Sequence, residues 1–378
     1  MKMSFTSKKE LIAKTKERYL GAKRQEKSIL LDELVANTEM HRKYLVSLLS
    51  PKKDLSYISP INRKRRQQYG SDVVLYLKKI WKIFDYPCGQ RLKPMLMEYV
   101  RVLEKCGELI VPISVKKKFM TISSSTIDRR LKKTREDEKR KVFSTTKPGG
   151  MLKSQIPIKT SSWDEKRIGF GELDTVAHCG DSASGEFISS LTYTDILTQW
   201  TESEATMGKA QERIMTALDR IKKRIPFDML GIDPDNGGEF INWQLYKYCM
   251  TRNIEFTRGR PYKKNDNAHI EQKNWTHIRK LAGYKRLNTE KQLKILNDLY
   301  RNEWRLYKNF FQANKKLVEK KRVGTRIVKK YDTPKTPYQR VLESKEVLEE
   351  KREELRKVYE MLNPAELKRS IDKKISRL

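Results

Sequence analysis

A chain of 378 residues exceeds one ordinary domain and has room for two or three, each burying a core of its own. Its 82 Lys plus Arg stand against 48 Asp plus Glu, a formal charge of +34 that argues against a neutral scaffold and for a polyanionic partner, nucleic acid first. No apolar run nears the ~18 residues of a membrane span, and the start MKMSFTSKKE lacks a signal-peptide apolar stretch, so a soluble cytoplasmic protein with no membrane partner is expected.

The charge is unevenly spread. Residues 1–150 carry 36 basic and 16 acidic side chains, residues 151–250 carry 11 and 15, and residues 251–378 carry 35 and 17. A weakly acidic block between two basic ones suits an enzyme that holds divalent cations beside phosphates better than a protein that merely coats DNA. The four cysteines have no CxxC spacing and the four histidines add no zinc pattern, which reads as reduced thiols.

In chain order, residues 1–60 predict three helices, KKELIAKTKERYLGA, EKSILLDELVANT and MHRKYLVSLLS, with apolar residues such as Leu11, Ile29, Leu30, Leu34, Tyr44, Leu45 and Leu48 at helical spacing. A short NTE link offers Asn37 or Thr38 as an N-cap for the third. That helix opens with His41, Arg42 and Lys43, where a helix-turn-helix domain presents groove-reading side chains. After the basic linker INRKRRQQYG, residues 71–134 predict a second helical, helix-turn-helix-like DNA-binding domain. It ends in SSSTIDRRLKKTR, where Ser123 to Ser125 would cap a helix carrying Thr126, Arg129 and Arg130.

Charge and breakers make 135–162 a basic linker. Between 163 and 290 the pattern changes to strands at GELDTVAHC, EFISSLTYTDI and QWTESEAT, a helix over 207–225, the strand FDMLGID, a helix over 239–250, the strand IEFTRG, a polar loop and a helix over 270–284. That order is mixed α/β. Residues 291–378 read as a basic, mainly helical C-terminal region, and His178 and Cys179, with no further ligand at metal spacing, as strand residues with a structural part.

Three carboxylates between 163 and 290 stand at element boundaries, where α/β sheets open onto clefts. Asp174 is in the first strand, Asp235 in DPDNGGEF follows the fourth, and Glu271 opens a helix in HIEQKN. Each alone has an ordinary structural explanation in an ion pair, a turn or a helix N-terminus. Together, the order Asp, then DNG with Glu-Phe, then Glu-x-Lys-Asn, with 35 residues between Asp235 and Glu271, resembles the DDE core of retroviral integrases and related insertion-sequence transposases. The segments KPGGMLKSQIP, FTRGRPYKKNDNAHIEQKN and TPYQRVL resemble a transposase subgroup with N-terminal helix-turn-helix domains, whereas the His/His/Cys/Cys zinc module of retroviral integrases is missing. Asp233, two residues before Asp235, is a rival ligand, but only Asp235 fits the DNG motif.

The resemblance implies a multidomain chain: all-α helix-turn-helix N-terminal region, α/β ribonuclease-H-like integrase catalytic core, mainly helical C-terminal region. It also implies two Mg²⁺ (or Mn²⁺) ions on Asp174, Asp235 and Glu271, cleavage at element ends and strand transfer into target DNA, and a homo-oligomer on double-stranded DNA at the nucleoid. Lys273 and Asn274, within a helical turn of Glu271, and Arg258, Arg260, Lys263 and Lys264 in the loop before it are candidate DNA contacts. A transposase-derived DNA-binding regulator without strand transfer is the alternative. A plain metal nuclease or ribonuclease of the same fold would have no use for two helical readers.

Overall fold

The computed structural model describes residues 3–54, 68–137, 167–234, 240, 242–257, 273–323 and 326–378. The chain divides into two compact units, Met1–Gln68 and Tyr69–Leu378.

The first unit is three helices, α1 (Phe5–Gly21), α2 (Arg24–Thr38) and α3 (Arg42–Leu48), closed over Ile12, Leu31, Leu34, Leu45, Leu48 and Leu49. Ile29 and Tyr44, assigned to the apolar stripe from spacing, are 59% and 48% exposed. The expected cap at Asn37 or Thr38 is corrected. Both residues lie inside α2, which stops where Glu39 turns left-handed at φ 55°, and the His41 ring Nδ1 caps α3 by accepting from the Lys43 N–H at 3.2 Å.

The second unit opens with α4 (Ser71–Ile83), α5 (Gly89–Lys105), α6 (Ile113–Thr121) and α7 (Ser124–Asp137). Ser123 Oγ accepts from the Thr126 N–H at 3.2 Å and so caps α7 after a two-residue turn from α6. Gly89 lets α5 start against that turn, since a Cβ there would stand 2.1 Å from the Ser124 carbonyl. These helices do not stand apart. Phe84 and Tyr99 stack at 3.5 Å between centroids, the Tyr99 hydroxyl donates to the Phe311 carbonyl at 2.6 Å, and one apolar core runs from Val73 to Ala365 through the sheet.

That sheet has five strands in the order β3-β2-β1-β4-β5: β1 (Phe170–Ala177), β2 (Ile188–Asp195), β3 (Thr201–Met207), β4 (Gly231–Pro234) and β5 (Glu255–Phe256). β1 pairs antiparallel with β2 and parallel with β4, which pairs parallel with β5. With α8 (Gln211–Lys222) and α9 (Trp243–Thr251) between strands, the unit is a mixed α/β sheet with many helices. Every residue of β2 is buried. Gly171 lets the Tyr193 ring lie across β1, because a Cβ at that point would meet it at 2.1 Å.

A π-helical turn, Asn274–Arg279, runs into α10 (Lys280–Ala282). After it come α11 (Glu290–Leu299), a second π-helical turn Tyr300–Trp304, and α12 (Arg305–Phe311). This long element seals the outer edge of β3. The Asn309 amide accepts from the Thr201 N–H and donates to the Thr201 carbonyl, both at 2.9 Å, and Asn297 does the same for Ala205 at 2.7 and 2.9 Å. Two side-chain amides thus stand in for a neighbouring strand.

β3 also buries Glu202 and Glu204, a cost met by guanidinium groups. Arg224 binds Glu202 at 3.2 Å and Glu204 at 3.0 Å, Arg305 binds Glu202 at 3.0 Å, and Arg301 joins Glu204.

The C-terminal region, expected to be mainly helical, does contain α13 (Pro337–Glu343), α14 (Glu349–Met361) and α15 (Pro364–Ile375), but it begins with a hairpin, β6 (Leu317–Val323) and β7 (Arg326–Tyr331). Val318, Val323, Ile327 and Val328 favour extended chain over helix there. No described helix is long and apolar enough to cross a membrane.

Candidate active site

Asp174 sits near the middle of the central strand, opposite Thr192 of β2, and is half-buried. Its Oδ1 accepts from the Thr175 N–H at 2.6 Å and its Oδ2 accepts from the Asn274 side-chain amide, a partner 100 residues away. The other amide atom, Asn274 Oδ1, is buried with no hydrogen-bond partner. Asn274 heads the first π-helical turn, a local widening that often accompanies functional positions.

β4 approaches from the other side of β1. Its parallel register sets Glu172 opposite Asp233 and Leu173 opposite Pro234, so the described strand stops one residue short of the level of Asp174. Alternation puts Glu172 and Asp174 on one face of β1. Glu172 and Asp233 are 1% and 5% exposed, a buried carboxylate pair across two central strands. Sequence reading passed over Glu172, although its i−2 spacing from Asp174 was the available signal.

Of the expected metal ligands, Asp235 and Glu271 lie outside the described residues, as do Arg258, Arg260, Lys263 and Lys264. Among the described residues no three His, Cys, Asp or Glu gather in a group able to hold a metal ion.

Lys273 is only 1% exposed and its ammonium has no hydrogen-bond partner. Burial, with the charges of Arg91, Lys308 and Arg340, pulls it down to about 7, because an ammonium without partners is poorly solvated there. Lys308, also buried, lies 4.4 Å over the Trp304 ring and 3.4 Å from Asp85, which meets Lys280 at 3.2 Å. His178 is fully buried, its Nε2 sharing a 2.8 Å hydrogen bond with Ser190, and burial drives its pKa down to about 3.

The DNA-facing candidates of the helical segments separate by burial. In the first unit His41 is spent on the cap, Arg42 on Asp32 and on Ser28 at 2.7 Å, while Lys43 is exposed. On α7, Thr126 bonds Ser123 and Arg129, Arg129 is exposed and Arg130 half-buried.

No family model matches the chain. It is similar to the "Uncharacterized protein y4rM" of Sinorhizobium fredii (strain NBRC 101917 / NGR234), 34% identical over 340 residues, covering 90% of this chain and 96% of that one. The chain belongs to the family of that rhizobial protein. Among solved structures, it is similar to the catalytic core domain of BIV integrase, with TM-score 0.29 and 15% identity over 44% of this chain and 91% of that one. The HTLV-2 integrase catalytic core domain in complex with magnesium is a second likeness, with TM-score 0.28 and 13% identity over 38% and 88%.

Proposed function

We propose that the chain is a DDE-type DNA transposase of the integrase superfamily, a polynucleotidyl transferase with Asp174, Asp235 and Glu271 as its acids. The observation that supports this is the meeting of three chain segments at one carboxylate. β4 delivers the chain to Pro234 beside Asp174, and Asp235 is the next residue. Asn274 donates to Asp174, and Glu271 is three residues, at most ~11 Å of extended chain, upstream of it.

The residues present fit a hard divalent cation. The donors are oxygens, Asn274 leaves a buried acceptor with no partner beside Asp174, and the buried imidazoles of the neighbouring elements are engaged elsewhere, His178 with Ser190 and His277 with Thr276. Asp174, Asp235 and Glu271 would hold two Mg²⁺ (or Mn²⁺), which when bound would supply Lewis acidity toward the phosphate oxygens and lower the pKa of the attacking water. Asn274 ties one oxygen of Asp174, fixing how the carboxylate faces the cleft. The reaction needs no covalent intermediate on the protein: water breaks a phosphodiester bond at the element end, and the freed 3′ hydroxyl exchanges one phosphodiester for another in target DNA. Arg258, Arg260, Lys263 and Lys264, with the exposed Lys43 and Arg129, would bind duplex DNA. In this reading the protein works at the nucleoid as a homo-oligomer that pairs two ends.

The test is a labelled duplex carrying the element end, incubated with full-length protein and Mg²⁺ and scored for binding and joining on one gel. The expected result is joining by wild type and binding without joining by Asp174→Asn, Asp235→Asn and Glu271→Gln. Asp233→Asn should still join, and Asn274→Ala should join only at raised Mg²⁺. Tight binding with no cleavage under any divalent metal would replace this reading with that of a transposase-derived regulator.

A further inference from the structure

β6 and β7 pair with each other and with no other described strand. Their root is fastened. The Lys316 N–H donates to the Asp332 carboxylate at 2.7 Å and the Asp332 N–H to the Lys316 carbonyl at 3.0 Å, Asn314 and Lys335 close an antiparallel bridge, and Arg340 holds Asp332 at 2.6 Å and the Asn314 carbonyl at 3.0 Å. Beyond the root, Val328 to Tyr331 are four consecutive exposed residues. Successive side chains of a strand point to opposite faces, so along Val328–Tyr331 neither face of β7 rests on the core.

Such a ribbon is marginal in water on its own, and this one carries two further burdens. Val318 and Val328 are 63% and 54% exposed. Lys321, Lys329 and Lys330 are exposed cations of the same strand pair, and their mutual repulsion weakens a two-stranded sheet. Residues 316–331 hold seven basic residues against the single acid Glu319, which is already joined to Lys321. Both burdens are relieved by the same thing, a polyanion with apolar surface between its charges.

We propose that this hairpin is a docking ribbon for double-stranded DNA, lying along a groove with its Lys and Arg residues on the flanking phosphates. A groove ~12 Å wide admits a two-stranded ribbon, and a seven-residue strand runs ~23 Å. Between Leu317 and Tyr331 there is no Asn or Gln for bidentate reading of adenine, and the contact proposed here is to phosphates. The inference deepens the DNA-processing reading above and rests on it for the identity of the partner.

The test uses full-length protein and a fluorescently labelled duplex of arbitrary sequence, with affinity measured over a salt series. The triple variant Lys321→Ala/Lys329→Ala/Lys330→Ala alters three exposed side chains. It should lower the slope of log affinity against log salt by about 2 to 3, at roughly 0.9 per phosphate contact, with affinity falling on the order of tenfold or more. The matching triple Arg variant should keep the wild-type slope, and Lys330→Ala alone should remove about one contact. An unchanged slope overturns the proposal, as does a changed sedimentation mass with the slope intact, which would make the ribbon a contact between copies. A wild type that binds no duplex overturns both readings. A reduced slope in a protein that never cleaves leaves the ribbon standing and removes the transposase.

Discussion

At the scale of single residues, His178 shows what the core demands of a titratable group. Buried and lowered to about 3, it must stay neutral in the folded chain, whereas unfolded it protonates near the ordinary histidine value of about 6.5. The unfolded state therefore binds the extra proton as pH falls, and the stability His178 contributes above pH 6.5 is lost on the way down, by roughly 2 kcal/mol between pH 7.5 and 5. Asp195 moves the other way. Burial raises its carboxyl to about 6, so the folded state gains as pH falls through that value. The measurement is thus a difference: urea midpoints of wild type and His178→Asn at pH 7.5 and 5, with the variant showing the smaller acid loss. Equal losses would mean that His178 is not held neutral. The sequence already marked His178 as structural because it had no ligand at metal spacing. The pairing of Asn274 with Asp174 was out of its reach, because a hydrogen bond across 100 residues depends on where two elements cross.

At the scale of elements, strands β1 to β5 were legible because apolar alternation and turn residues such as GDSASG delimit them. The β6–β7 hairpin was not read, although Gly324 stands between two runs rich in Val and Ile, because the dense charge around it matches the helices that follow. Equally hidden was the sealing of β3, since nothing local distinguishes Asn297 and Asn309 from exposed asparagines. Each satisfies one backbone N–H and one carbonyl that would otherwise be buried and unpaired. Asn309→Leu should therefore cost about 2–6 kcal/mol, from about 1–3 kcal/mol for each orphaned group. Asn302→Ala, an exposed change on the same long element, should stay within about 0.5 kcal/mol. Denaturant unfolding of both variants checks the contrast, and a similar small loss in each would mean that water enters and replaces the Asn309 amide.

At the scale of the whole molecule, the division falls at Gln68, with a three-helix core before it and, after it, one large core spanning Val73 to Ala365 beside a smaller cluster from Val176 to Ile371. The sequence read residues 71–134 as a separate segment because breakers and charge surround it. What it lacks is any local sign of contacts such as Tyr99 on Phe311, made 212 residues apart. A chain reduced to residues 69–378 should accordingly keep one cooperative unfolding transition and, under the proposed function, Mg²⁺-dependent nicking of arbitrary duplex. Its preference for the element end over arbitrary DNA should fall markedly, measured as a ratio of binding constants at fixed salt. A shortened chain that unfolds without cooperativity would show that the first 68 residues complete the fold.

The two asparagines on β3 are twelve positions apart, and in an unbroken α-helix the second would point roughly 120° away from the first. The wide turn Tyr300–Trp304 between them takes up about one extra residue, or about 100°, which returns Asn309 to the side that Asn297 faces. The interval therefore behaves as a phase gauge. One residue more or fewer within it swings one amide off the strand and leaves a length of sheet edge able to template another chain. An insertion or deletion in this interval is therefore costlier than any exposed substitution along it.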